Sequence, residues 1–349
     1  FSHIINFSIH NKLYIIYILH SKNLKIYFPF KKKDECDMGK YISLMRLDHW
    51  LKNIFILPGF FVALVIDGTT SHSKFMILFL AFFGTCIASS ANYTINEYLD
   101  RHSDKYHPVK KQRASVQHVL DPRIVLMQYL TLIFTAFLLI HNLGPVIFWS
   151  ITIFLILGIL YNVSPIRLKD LAYADVVTES LNNPVRLIIG WAAGTAIIFP
   201  PISLMICYWM SGAFLMAAKR YAEYRSVSDK ATLHNYRKSF AHYTETTLFL
   251  SCVFYAQAAS FMFGAFAMKY RAELLLFFPF LAILFCWYFF ICTQRENRER
   301  VTVEEIHNFP VFVTYFVICL IFLSILSAVD IPAVHFLIDH NVSLDARLK

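Results

Sequence analysis

Nine apolar blocks, each about 16 to 22 residues long, leave this chain few folds to choose from. They lie at about 50–66, 75–95, 124–143, 145–162, 184–199, 201–218, 246–267, 273–292 and 309–328. An α-helix rises roughly 1.5 Å per residue, so blocks of this length match the roughly 30 Å hydrocarbon core of a bilayer. A soluble domain of 349 residues must show water a polar exterior, which a chain 57% hydrophobic and only 16% charged cannot supply. The expected fold is all-α: a polytopic membrane protein with about nine transmembrane helices. Residues 141–144 separate the third and fourth blocks, and Pro200 and Pro201 the fifth and sixth, so both pairs read as tight hairpins.

Lysine and arginine placement orients the bundle, because basic residues accumulate in short cytoplasmic loops. One set of alternate loops holds six over residues 101–123, then Arg167, Lys169 and Arg186, six over 219–238, and Arg295, Arg298 and Arg300. The opposite loops hold only Lys74, Lys269 and Arg271. The N-terminus and the polar loops that follow the even-numbered spans are therefore expected to be cytoplasmic, in a bacterial inner membrane. The net charge of +9 is then mostly topological, with anionic headgroups and phosphates as its partners and no nucleic acid required.

Residues 1–40 read as an N-terminal extension, 41–330 as the transmembrane domain and 331–349 as a tail. The extension interrupts its apolar stretches with Asn11, Lys12, His20 and Lys22, unlike a signal peptide, and Met38 reads as the natural start. A peripheral amphipathic helix is the alternative. The seven cysteines form no CxxC pair and read as small core residues.

Chemistry concentrates at the cytoplasmic ends. After the second block, Asn96, Asp100 and Asp104 stand at i, i+4 and i+8, on one face if the helix continues. Oxygen ligands of this kind suit Mg²⁺, which takes one or two carboxylates and completes its shell with substrate phosphate and water. The plain alternative is a solvated helix end paired with Arg101 and Lys105. In the next inside loop Asp175 and Glu179 repeat the i, i+4 spacing, followed by Asn182 and Asn183. Such a strip would clamp a diphosphate from its other side, with Lys169 and Arg186 covering remaining oxygens; an internal ion pair with an Asn cap explains it equally. Lys219 and Arg220 after the sixth block, and Lys52 and Asn53 at the first, read either as phosphate contacts or as interfacial anchors.

Together these stretches resemble the UbiA superfamily of membrane prenyltransferases. Its Asn-Asp-x-x-Asp-x-x-x-Asp motif is matched by Asn96, Asp100 and Asp104, with Glu97 in place of the usual Asp, and its second acidic motif by Asp175 and Glu179. The pattern is most similar to decaprenyl-phosphate phosphoribosyltransferase-like members. Arg46, Trp50, Lys52 and Asn53 match their opening Arg-Pro-x-x-Trp-x-Lys-Asn, His107, Pro108 and Lys110 their His-Pro-x-Lys, and residues 219–223 their Lys-Arg-Tyr-Ala-Glu. Tyr161 to Lys169 is longer here.

The resemblance implies a Mg²⁺-dependent transferase that moves phosphoribose from its diphosphate to a polyprenyl phosphate. It implies a catalytic and metal-binding set of Asp100, Asp104 and Asp175, with Asn96 and Glu179 as further ligands. Lys52, Asn53, Lys110, Tyr161, Lys169, Glu179, Asn183, Arg186, Lys219 and Arg220 are the implied substrate contacts. A polyprenyl lipid and a phosphorylated or aromatic small molecule are the implied substrates. The second expectation is an aromatic prenyltransferase acting on a phenolic ring, which would use the same acids. A transporter, the third, would place its ionisable residues near the midplane and show repeated halves, neither of which this sequence does.

Overall fold

A computed structural model describes residues 16–18, 25–27, 37–107, 110–195, 197–226, 230–294 and 309–334. Pro108, the Arg295–Arg300 cluster and the tail beyond 334 lie outside the described residues. The chain divides into two units, Phe1–Ile42 and Ser43–Lys349. The first contains the antiparallel pair β1 (Ile16–Ile18) and β2 (Lys25–Tyr27), and α1 (Asp37–Leu44) crosses the division.

The second unit is helical. A 3-10 segment, Leu47–Ile56, leads into α2 (Leu57–Asp67), and α3 (His72–Asp100) follows, with Ser71 capping its N-terminus. A short α4 (Ala114–Gln117) precedes α5 (Pro122–Ile140) and α6 (Pro145–Asn162), both opened by proline, which fits a helix start because it has no N–H to lose there. Then come α7 (Ala174–Ser180), α8 (Asn182–Gly194), α9 (Ile202–Ser226), α10 (Lys230–Tyr236) and α11 (Glu245–Tyr270). The 3-10 segment Ala272–Phe277 feeds α12 (Phe278–Thr293), and α13 is Pro310–Ala328. Among the described residues eight helical stretches are long and apolar enough to cross a membrane. Their apolar side chains face outward as well as inward, as lipid permits: Phe134, Trp149, Phe254 and Phe261 are all more than 60% exposed.

The fifth apolar block departs from expectation. Its helix, α8, has 13 residues, about 20 Å, and stops at Gly194 instead of running on to 199. It is nevertheless a ninth helix of the bundle, enclosed by protein: Leu187, Ile189 and Trp191 are essentially inaccessible. Glycines let it press against α2. A Cβ on Gly190 would lie 1.9 Å from the Ile56 carbonyl oxygen, and one on Gly59 2.3 Å from that of Leu187. Close backbone approach through small residues is how helices associate where lipid removes the usual hydrophobic drive.

The second departure is at the end of α3. The helix terminates at Asp100, a turn follows, and Asp104 begins a separate 3-10 turn, Asp104–Tyr106. The expected one-face ladder therefore holds for Asn96 and Asp100 and is broken before Asp104.

Candidate active site

At the end of α3, three oxygens converge on the Lys169 ammonium. It donates to Asp100 Oδ1 at 2.6 Å, Asn162 Oδ1 at 2.8 Å and Asn96 Oδ1 at 3.0 Å. Arg167 Nη2 reaches the same Asp100 oxygen at 2.8 Å. Burial pulls the Lys169 ammonium down to about 8, opposed by the neighbouring Asp100 carboxylate. Asp104, buried at the start of its own turn, instead accepts from Arg113 Nη1 at 2.7 Å. Glu97 points elsewhere: its Oε1 accepts from Ser115 Oγ and its Oε2, buried, has no hydrogen-bond partner among the described residues.

The second strip sits on α7 and is held differently. Asp175 is fully buried, and both its oxygens are taken. Tyr243 OH donates to Oδ1 at 2.6 Å; Arg220 Nε at 3.0 Å, Ser239 Oγ at 3.3 Å and Arg237 Nη1 at 3.4 Å donate to Oδ2. Glu179, one turn on, makes no side-chain hydrogen bond or ion pair among the described residues and lies within electrostatic reach of Tyr161 and Arg186.

The two strips belong to one network. Arg237 faces Asp175 directly and Asp100 and Lys169 at longer range, and Tyr161 OH accepts from both Arg237 and Arg220. From there Arg220 Nη1 reaches Glu223 at 2.6 Å, and Glu223 in turn pairs with Lys110 at 3.6 Å. Lys110 also bonds Tyr236 OH, and its ammonium is pulled by burial to about 8. His107, stacked edge-on against Tyr236, is driven by burial to about 3 and so stays neutral. Lys219 lies within electrostatic reach of both His107 and Glu223.

Four of the sequence candidates gather elsewhere. Asn53 is buried among Ser89, Cys86 and Arg186, whose Nε donates to its Oδ1 at 2.9 Å. Arg186 Nη1 also meets Asn183 Oδ1 at 3.4 Å, and Asn183 fills the space left by Gly212 of α9. Lys52 lies 5.8 Å from the ring of Tyr93. This Asn53–Arg186 pair joins the 3-10 segment Leu47–Ile56 to α8, and Glu179, in electrostatic reach of Arg186, connects it with the acid strips.

Several network members were not read from sequence: Arg113, Asn162, Tyr236, Arg237, Ser239 and Tyr243. Four of them come from residues 236–243, a segment after α9 with no acidic spacing to mark it. It is fixed by an aromatic cluster in which Tyr221, Leu233, Tyr236, Phe240, Tyr243 and Leu248 are buried together. Its alternation of aromatic and basic residues was the available signal.

Among the described residues no three Asp, Glu, His or Cys side chains gather as an all-protein metal cage. Mg²⁺ needs none, since it usually keeps water and substrate phosphate in its shell. The oxygens of Asn96, Asp100 and Asn162 already surround a positive charge at 2.6–3.0 Å, so the donor chemistry at Asn96 and Asp100 fits that ion. In this arrangement Asp104 and Asp175 are committed to arginines, whereas the Glu179 carboxylate is not.

Known proteins resemble this chain in sequence and fold. Residues 55–304 match the UbiA prenyltransferase family. The chain is 29% identical to the uncharacterised y4nM protein of Sinorhizobium fredii over 52% of its own length, and spans only 34% of that protein. It is 27% identical to decaprenyl-phosphate phosphoribosyltransferase of Mycobacterium tuberculosis, covering 65% of this chain and 74% of that one. Protoheme IX farnesyltransferase of Geobacillus thermodenitrificans is 29% identical, covering 50% and 57%. A UbiA homologue from Archaeoglobus fulgidus, solved with GPP and Mg²⁺, superposes with a TM-score of 0.61 at 18% identity, over 83% of this chain and all of that one. This integral membrane protein belongs to the UbiA prenyltransferase family.

Proposed function

We propose that the protein is a Mg²⁺-dependent transferase that moves 5-phosphoribosyl from phosphoribosyl diphosphate to a polyprenyl phosphate, at the cytoplasmic surface. The observation that supports this most is the gathering of four cations, Arg220, Lys110, Lys219 and Arg237, around one carboxylate, Glu223, beside the acid strips. A metal-bound diphosphate draws on the acids. An acceptor that is itself a phosphate needs cations beyond those that serve the diphosphate, such as Lys110 and Lys219, and an aromatic acceptor does not. The likeness to the mycobacterial phosphoribosyltransferase supports the same choice.

Asn96, Asp100 and Glu179 would hold Mg²⁺, which would supply positive charge to the departing diphosphate. Arg167 and Lys169 set the Asp100 carboxylate in place. An acceptor phosphate oxygen forms its bond to the anomeric carbon as the bond to the diphosphate oxygen breaks and that electron pair leaves with diphosphate. The acceptor is already anionic at neutral pH, so no general base is needed, consistent with a site rich in cations where His107 stays neutral. The residues' main work is then to hold two anions at reacting distance. The apolar tail remains in the bilayer.

The test uses detergent-purified protein, Mg²⁺, labelled phosphoribosyl diphosphate and mixed polyprenyl phosphates, followed by organic extraction. Label in the lipid phase is expected, with a loss of at least about a hundredfold in Asp100→Asn. No lipid label, but turnover of a prenyl diphosphate with a phenol, would overturn the reading in favour of aromatic prenylation.

A further inference from the structure

Two guanidinium groups reach Asp175, and they are held in different ways. Arg220 is fully engaged: Nε bonds Asp175, Nη1 bonds Glu223 and Nη2 bonds Tyr161. Its side chain is only 3% exposed. Among the described residues Arg237 hydrogen-bonds through Nη1 alone, at 3.3 Å from Tyr161 OH and 3.4 Å from Asp175 Oδ2, with its guanidinium 5.9 Å from the ring of Tyr236. Both contacts are long for a hydrogen bond. The Asp175 oxygen it shares already accepts from Arg220 and Ser239. The Nε and Nη2 groups of Arg237 make no hydrogen bond among the described residues, although its side chain is only 12% exposed.

Position makes those donors useful. Arg237 lies within electrostatic reach of Asp100 and Lys169 on one side and of Glu223 and Lys110 on the other. Its backbone is fixed from both flanks, by Tyr236 stacked on His107 and by Ser239 and Tyr243 bonded to Asp175. A guanidinium presents parallel N–H donors that match two oxygens of one phosphate, and a preset side chain loses little freedom in doing so.

We propose that Arg237 is a substrate-binding residue whose unoccupied guanidinium edge takes oxygens of the diphosphate between the two acid strips. Arg220, the sequence candidate, is instead a positioning residue. Asp175 serves the same end, as the anchor that holds residues 237–243 across the site. The assignment rests on the proposed function, since it supposes a diphosphate at that place.

Inorganic pyrophosphate with Mg²⁺, titrated calorimetrically into the full-length protein in detergent, provides the test. Arg237→Gln is expected to weaken binding about ten- to a hundredfold, the worth of one charge-assisted contact. Arg237→Lys should recover only part of it, because an ammonium lacks the fork. Lys238→Gln, which removes an exposed charge one residue away, should stay within about twofold of wild type. Wild-type affinity in Arg237→Gln, or an equal loss in Lys238→Gln, would overturn the assignment and leave the proposed function standing. No pyrophosphate binding by the wild-type protein would overturn both. Unfolding midpoints are measured in parallel, and if Arg237→Gln fails to fold, full recovery in Arg237→Lys counts against the fork.

Discussion

Replacing Gly190 by alanine should destabilise the protein far more than one methyl group suggests. The added Cβ would sit 1.9 Å from the Ile56 carbonyl oxygen, 2.9 Å from its carbon and 3.0 Å from the Phe60 nitrogen, all backbone atoms with no rotamer to escape into. The first contact falls about 1.5 Å inside ordinary van der Waals separation, so α8 must retreat from α2 by a comparable distance. Overpacking of this kind costs about 1–3 kcal/mol. The retreat also stretches the 2.9 Å Arg186–Asn53 bond beyond hydrogen-bonding range, and a buried charge-assisted bond is worth about 1.5–3 kcal/mol. The combined loss of about 2.5–6 kcal/mol corresponds to a midpoint lower by roughly 3–8 °C in detergent, followed by intrinsic fluorescence. Gly264→Ala is the control: nothing lies within 4 Å of its new Cβ, and helix propensity makes it neutral or stabilising by up to about 1 kcal/mol. Equal midpoints for the two variants would refute the close-approach reasoning.

Other consequences follow from the polar network. Arg220→Met should cost about 3–5 kcal/mol, because it strips the buried carboxylates Asp175 and Glu223 of their shared cation; an unchanged unfolding midpoint would contradict this. Lys110 releases its proton near 8 in the folded chain against about 10.5 when unfolded, so the unfolded state holds more protons in between and stability rises with pH across that window. Lys110→Met should reduce that rise by about half in a pH series of denaturation midpoints, because Lys169 is pulled to about 8 as well. Chelation of Mg²⁺ should abolish turnover and leave the midpoint in the absence of substrate within about 2 °C, since the ion depends on substrate phosphate for its shell.

Much of the bundle was legible in the chain because lipid imposes a crude rule, a long apolar run per span. That rule is blind to whether a run faces lipid or protein. It therefore placed α8 correctly as a helix but overestimated its length: residues 197–199 are apolar without being helical, and burial against α2 replaces membrane-spanning length. The acid spacing located both strips, since Asn96 and Asp100 share one helix face. It failed at Asp104, where the helix ends, because periodicity carries no information about where hydrogen bonding stops. Arg220 and Arg237 show the deeper difficulty. Both are basic residues near Asp175, and only the count of occupied donors separates an engaged guanidinium from one with an edge to spare; that count depends on Tyr161, Glu223 and Ser239, far apart in sequence. Arg186 was read as a phosphate contact and Asn53 as a substrate contact; they bond each other across 133 positions, a pairing no local pattern announces.

On the proposed function, Asn96 and Asp100 hold a divalent cation through a bound diphosphate. Electron paramagnetic resonance with Mn²⁺ replacing Mg²⁺ measures this directly. The wild-type protein should immobilise about one Mn²⁺ per chain only when pyrophosphate is present, and Asp100→Asn and Asn96→Ala should each lose that signal while keeping their fold. Mn²⁺ bound equally by wild type and both variants, or bound with no dependence on pyrophosphate, would contradict the account.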